Sequence, residues 1–436
     1  MTDTKSADPS IQKQKKRNIL WLSISFAFVY FGINTYKNFA VSLFGNAGST
    51  CLGILYTMAA VCNFVIPALL YFTKSEVGNL VASGFAMAIF LLQFAYYSPT
   101  VALVFSFITG FFFAVSWSVQ SILIAQNSTD ENRGYNSNLF YGIFMVGNVF
   151  GNIFAYILLN VISIETSDYH RGWNGGMSFL FIGLSVSALI GSCLMLFMRS
   201  PRSSESAKTE LVEVKTESVP PHHSKQNTVW KDIGKKVIAV FHCMVRHHMP
   251  LLIILFINNG YAQVIISTQV ARQIPSVKLV GLVMAVFSVV EVVVSLGLTS
   301  VADKAGHKVM GLVGVLAEII ACITTCIMNE KQGGWVYVPP VLFAIMDTIY
   351  QTECMSIVGR FFPNELEDAA ATYRLVQGIG SSICSFVTPL FVSPGASAST
   401  LRQLTVEMAV GSAIAIVGYI LLLIFLSLHK KGTEKA

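Results

Sequence analysis

Charged side chains stand inside long apolar runs at Lys37, Glu291, Glu318, Asp347, Glu353 and Arg374. A charge in hydrocarbon is expensive, so such residues line a path for an ion or solute or pair with one another. Acids outnumber bases in this set, which suits a cation or proton better than an anion. A lone buried charge is costly, so Arg374 is expected to pair with Glu291 or Asp347. Lys37 lies toward one end of its run, from which a long side chain can snorkel. Polar residues also recur one helical turn apart, which sets both on one helix face. Asn34 goes with Lys37, Trp117 with Gln120, Asn148 with Asn152, Asn259 with Gln263, Asp347 with Gln351 and Arg374 with Gln377. The expected lining of a polar cavity is therefore Asn34, Gln120, Asn152, Glu291, Asp347, Gln351 and Arg374. The competing reading is hydrogen-bonded glue between helices, about 0.6 kcal/mol per contact. This is binding chemistry rather than bond-making chemistry. The chain has no phosphate loop, no G-x-S-x-G, no H-E-x-x-H and no zinc-ligand spacing, so no enzyme, catalytic residue, cofactor or metal site is expected.

The elements that must carry these residues follow from composition. Of 436 residues, 54% are hydrophobic and 12% charged. Mean hydropathy is +0.63. Soluble domains carry about 25% charged residues. The apolar runs are continuous over about 20 residues, the length of a membrane-crossing helix. They do not alternate at period two, which excludes a barrel. Twelve spans are expected: roughly 18–43, 51–73, 77–97, 100–124, 137–162, 175–198, 249–270, 278–300, 307–328, 335–358, 370–392 and 404–428. The fold class is all-α integral membrane, two six-helix halves at 18–198 and 249–428. Glu318 falls on a peripheral span, where it pairs locally or stays protonated.

Charge asymmetry predicts the orientation. By this topology 22 of the 29 Lys and Arg residues fall on the side of the termini, six on the other and Arg374 within a span. Positive charge marks the cytosol, so an N-tail over 1–17 and a C-tail over 429–436 are both expected there. The net charge of +6 is loop asymmetry and gives no reason to invoke nucleic acid. The polar N-tail is not a secretory signal, and the end of the chain shows no lipidation or retention address. The sequon at Asn127 falls in the cytosolic 4–5 loop and should stay bare. Eight cysteines, scattered through the spans, do not form a disulfide framework. Residues 199–248 form a cytosolic linker. Its first part is polar and reads as disordered. Its second part spaces Trp230, Ile233, Val237, Phe241 and Met244 at helical intervals, with Lys231, Lys235 and Arg246 elsewhere, as in an amphipathic helix on the inner leaflet. An ordinary lead-in to span 7 fits the same residues. The pairs His222–His223 and His247–His248 are expected to be solvated.

Between spans 8 and 9 stands VADKAGHK, residues 301–308. Six spans, a long loop and six spans resemble the layout of the major facilitator superfamily, and this turn resembles that superfamily's G-x-x-x-D-R-x-G-R-K. Asp303, Lys304, Gly306 and Lys308 match; His307 and Thr299 depart. The resemblance implies a gating turn, with Gly306 allowing the tight bend and Asp303 capping a helix and pairing with a base in one state. A plain polar turn is the alternative. The matching turn of the first half, FTKSEVGN, is degenerate. In that fold spans 1, 2, 4, 5, 7, 8, 10 and 11 line the cavity, and every polar pair above falls on one of them.

A closer set of motifs resembles the uncoordinated-ninety-three-like family. CLGILY and Pro67 lie in span 2, and WSVQ lies in span 4. Span 5 carries Asn136, Phe140, Gly142, Phe144, Gly151 and Asn152. Span 10 carries Asp347, Gln351, Thr352 and Gly359, and span 11 has Tyr373, Arg374 and Leu375. Tyr350 stands where that family has tryptophan, and Glu353 where it has glutamine. The resemblance implies a multi-pass membrane protein that regulates or escorts another membrane protein, such as a potassium channel. The alternative is a secondary transporter of an ion or small polar solute by alternating access. Membrane lipid is the one partner common to both.

Overall fold

The computed structural model describes residues 9–128, 133–162, 171–198, 234, 237–246, 248–393 and 398–433. Eleven long helices carry the fold: α1 (Pro9–Cys62), α2 (Ile66–Thr73), α3 (Glu76–Leu92), α4 (Pro99–Gln126), α5 (Arg133–Val161), α6 (Gly176–Met195), α7 (Pro250–Ile265), α8 (Val277–Lys331), α9 (Val338–Phe361), α10 (Leu366–Val387) and α11 (Leu401–Thr433). A short helix over 237–245 lies between α6 and α7.

Ten helical segments among the described residues are long and apolar enough to cross a membrane. The first of them, Gln12–Cys62, is two spans. Gly45 breaks it with φ 57° and ψ −131°, a conformation closed to most residues with a Cβ. Gly306 divides α8 in the same way, with φ 74° and ψ 159°. α10 is a full 22-residue helix whose apolar run is diluted by Arg374, Gln377 and three serines. The result is the expected twelve spans in two halves of six, called spans 1–12 below.

Local signals explain several helix starts. Proline opens α4 and α7, where its missing N–H costs no hydrogen bond. The Ser75 hydroxyl caps α3 by accepting from the Gly78 N–H at 3.0 Å. Two two-residue strands, β1 (Tyr96–Tyr97) and β2 (Gly172–Trp173), pair antiparallel and tie the 3–4 connection to the 5–6 connection.

At the end of the bundle that holds the N-terminus, the Asn18 amide donates to Asn127 Oδ1 at 2.9 Å, and the Asn127 amide donates to the Leu123 carbonyl at 2.8 Å. The sequon asparagine is therefore buried and engaged. The linker helix over 237–245 bridges the two halves at this same end. Its buried face is Val240, Cys243 and Met244, packed on Ala60 and Phe64 of the first half and Leu375 of the second. Met244 of the expected stripe lies on this face, but Phe241 does not, and Val240 and Cys243 take its place. Phe241 is exposed and stacks on Phe64 at 5.9 Å. Trp230, Lys231, Ile233 and Lys235 lie outside the described residues, as do His222, His223 and His247.

The seam between the halves closes at the opposite end. The Ser42 hydroxyl donates to the Ala271 carbonyl at 3.1 Å, and Ser49 to the Ser385 carbonyl at 2.7 Å. Arg272 Nη1 donates to Asn46 Oδ1 at 3.0 Å. Below these bonds span 8 crosses span 5 so closely that a Cβ on Gly281 would stand 2.8 Å from the Asn152 carbonyl oxygen.

Candidate functional site

The charged residues of the spans sort into separate groups. Glu291 of span 8 and Asp347 of span 10 are buried, 7% and 6% exposed, and their carboxyls lie within hydrogen-bonding reach of one another. Gln351 and Gln263 adjoin Asp347. One Asp347 oxygen, Oδ1, has no hydrogen-bond partner. Across the seam, Lys37 of span 1 is the base that both carboxyls sense, although it makes no ion pair with either within 4 Å. Lys37 does not snorkel outward. Its Nζ sits 5.5 Å from the Tyr56 ring centre and 5.8 Å from that of Phe113, and donates to Asn34 Oδ1 at 3.4 Å. Aromatic faces stabilise a cation through the ring quadrupole, so the ammonium has an internal seat.

Arg374 corrects an expectation. It forms no salt bridge with Glu291 or Asp347. Its Nη1 donates to Gln377 Oε1 at 3.0 Å, its guanidinium lies 5.1 Å from the Tyr373 ring centre, and the Tyr141 hydroxyl of the opposite half lies within reach. The carboxyls face each other and Lys37, so hydroxyl, amide and ring meet the guanidinium in place of an acid. Arg374 and Tyr141 both remain accessible at the surface of the protein, though they meet across the seam.

Two acids leave the central site altogether. Glu318 Oε2 accepts from the Asn258 amide at 2.8 Å and from the Tyr350 hydroxyl at 2.9 Å, inside the second half, which is the local pairing expected of it. Glu353 meets His307 Nδ1 at 2.7 Å. The excess of acids counted from the sequence therefore does not reach the seam, where Glu291 and Asp347 stand with Lys37 and Arg374.

The amides divide between lining and glue. Asn34 donates to Asn148 Oδ1 at 2.7 Å, and Asn38 to Asn152 Oδ1 at 3.1 Å, so spans 1 and 5 are laced by a ladder with a four-residue step on each helix. Asn152 is fully buried in it. Gln120 is buried and accepts from the Ser121 hydroxyl at 3.2 Å. Asn259 donates to the Tyr373 hydroxyl at 2.8 Å, which donates to Gln351 Oε1 at 3.1 Å. This chain of bonds connects spans 7, 11 and 10 beneath Asp347.

At the turn between spans 8 and 9, the side chains of Asp303 and Lys304 lie outside the described ones. Gly306 makes the bend, and the Lys308 carbonyl accepts from the Tyr419 hydroxyl at 3.1 Å. Of the four residues that depart from the motifs, Thr299, His307, Tyr350 and Glu353, two bond to each other: His307 in the turn and Glu353 in span 10.

Sequence reasoning passed over Tyr141, Asn38, Arg272 and Glu407. Glu407 of span 12 is fully buried and accepts from the Thr388 hydroxyl at 2.8 Å. Arg272, placed in a loop by hydropathy, is buried at the seam. The one available signal was Asn38, which lies four residues after Asn34 just as Asn152 lies four after Asn148. Among the described residues, no group of three or more His, Cys, Asp or Glu side chains is placed to hold a metal, and all eight cysteines are free.

The model of the Major Facilitator Superfamily matches residues 77–385. The chain belongs to that superfamily. Within it, the chain is similar to proteins that carry the uncoordinated-ninety-three-like name. The UNC93-like protein MFSD11 of Xenopus tropicalis is 24% identical over 422 residues, covering 86% of this chain and 91% of that one. Human protein unc-93 homolog A is 20% identical over 410 residues, covering 84% and 85%. Among solved structures, the nucleoside transporter NupG superposes with a TM-score of 0.67 at 12% identity, covering 93% of this chain and 99% of that one. A D-xylose-proton symporter gives 0.62 at 15% identity, covering 94% and 96%. At such identities the superpositions establish the facilitator fold, and the chain is an integral multi-pass membrane protein of that type.

Proposed function

We propose that this facilitator protein is a secondary carrier that moves a small polar solute with a proton by alternating access. The observation that carries the reading is the buried Glu291–Asp347 pair at the seam, opposite Lys37 of the other half. Two carboxyls within hydrogen-bonding reach cannot both be charged without cost, so they hold together through a shared proton or a bound cation. Such a group, set where the halves must part, ties ion binding to the motion of the halves. Closure of the seam at Ser42, Asn46 and Ser49, with Arg374 and Tyr141 accessible, fits one state of that cycle. With both termini in the cytosol, as the charge asymmetry predicts, the open end would face inward.

The test is reconstitution into liposomes under an imposed pH gradient, with entry of protons and of pooled polar solutes followed together. Coupled movement that Asp347→Asn abolishes supports the carrier. A solute flux that Asp347→Asn leaves intact counts against it.

The second reading is the regulatory or escort subunit implied by the uncoordinated-ninety-three-like resemblance, with a potassium channel as one such partner. A cleft of about 370 Å³ between spans 2 and 11 favours it, with Ala60, Val61, Leu375, Ile379, Ile383 and Phe386 among its lining residues. An apolar crevice on a membrane helix pair suits a partner's helix. An escort keeps its partner's delivery or current in the Asp347→Asn variant, whereas a carrier loses flux while still reaching the membrane.

A further inference from the structure

Two cations at the seam, Lys37 and Arg374, have no acid within ion-pairing distance among the described residues, and a run of aromatic contacts joins them. From Lys37 the line runs to Phe113, whose ring centre is 5.8 Å from Nζ. Phe113 meets Trp117 at 6.3 Å, and Trp117 stacks on Tyr141 at 6.5 Å with the planes 28° apart. The Tyr141 hydroxyl then reaches Arg374. The indole N–H of Trp117 is buried and has no acceptor among the described residues. A buried donor left unmet costs about 1–3 kcal/mol, and an accessible guanidinium without a counter-ion is a ready partner for a carboxylate or phosphate.

We propose that the seam between the halves binds a planar organic anion, its acidic group on Arg374 and Tyr141 and its body along the Trp117–Tyr141 surface. The sequence count of acids pointed to a cation. The structure removes the basis for that count, because Glu318 is met by Asn258 and Tyr350, and Glu353 by His307. The remaining acids, Glu291 and Asp347, face one another, which leaves the basic residues free to take the ligand's charge. Transport of that anion together with a proton rests on the carrier reading above; binding itself does not.

The experiment is equilibrium binding to purified full-length protein in nanodiscs, read by tryptophan fluorescence and thermal stabilisation. The probes are benzoate, indole-3-acetate and phenyl phosphate, with benzamide and benzylamine as the neutral and cationic controls. At least one anion gives a saturable signal, and benzylamine gives none. Arg374→Gln weakens that binding by roughly tenfold or more, Arg374→Lys less, since lysine keeps the charge but loses the planar fork. Tyr141→Phe weakens it without loss of folded protein. Binding of benzylamine in preference to all three anions, binding of none of the anions, or equal affinity in Arg374→Gln overturns the proposal. Anion binding without flux in liposomes leaves the site standing and removes the carrier. Proton-coupled flux of a cation with no anion binding does the reverse.

Discussion

Replacing Gly281 by valine separates a moving seam from a static one. Span 8 crosses span 5 at this glycine, where a Cβ would meet the Asn152 carbonyl oxygen at 2.8 Å and the Tyr156 nitrogen and Cα at 2.9 and 3.1 Å. Ordinary contact needs about 3.4 Å or more, so the two backbones must part by about half an ångström, and overpacking of this kind costs about 1–3 kcal/mol. If the protein alternates, only the state closed at this end bears the cost, and the equilibrium moves about 5- to 150-fold toward the other state. Gly260 is the control. A Cβ there runs into the Gln377 carbonyl, between spans 7 and 11 of the same half, so it penalises every state alike. The assay is labelling of Ser42→Cys by a membrane-impermeant maleimide in a background cleared of the native cysteines. Gly281→Val should raise the labelling rate with little loss of thermal stability, and Gly260→Ala should lower stability with no gain in labelling. Equal loss of stability in both variants, with Ser42→Cys still protected, would refute the reasoning.

Two further outcomes follow from single contacts. The half-turn bond between His307 and Glu353, with both side chains mostly buried, makes Glu353→Ala more damaging to thermal stability than the His307→Ala/Glu353→Ala pair, because removing one partner strands the other; equal losses in all variants would show the contact to be inert. Burial pushes the Tyr97 hydroxyl in β1, outside the membrane-spanning segments, up to about 12. Its neutral form is the one the fold favours, so its contribution is complete below the ordinary value of 10 and fades as pH rises from about 10 to 12; an alkaline unfolding profile unchanged by Tyr97→Phe would contradict this.

Hydropathy made the spans legible because lipid leaves a helix few alternatives, and it placed α10 despite the polar residues that thin its run. Side-chain pairs within one helix were legible too: Lys37 does bond Asn34, and Arg374 does bond Gln377. Contacts between helices were not. A one-turn spacing fixes a face but not which neighbour meets it, so Arg374 was matched to acids when a tyrosine six spans away reaches it. Counting charges failed for the same reason: Glu318 was set apart only by its peripheral span, and Glu353 looks identical to Glu291 until His307 is seen beside it. Tyr141 carried no signal of its own, being one aromatic among 15 tyrosines and 31 phenylalanines.

The most direct test of a proton-gated, two-state seam is a pair of distances across it. Spin labels at Tyr96 and Trp335 report the end away from the termini, and labels at Ser121 and Ser356 report the other. The account predicts that the two distances change in opposite senses between neutral and acid pH, and that Glu291→Gln/Asp347→Asn holds both fixed. One distance at each end, the same at every pH and in the variant, would contradict it.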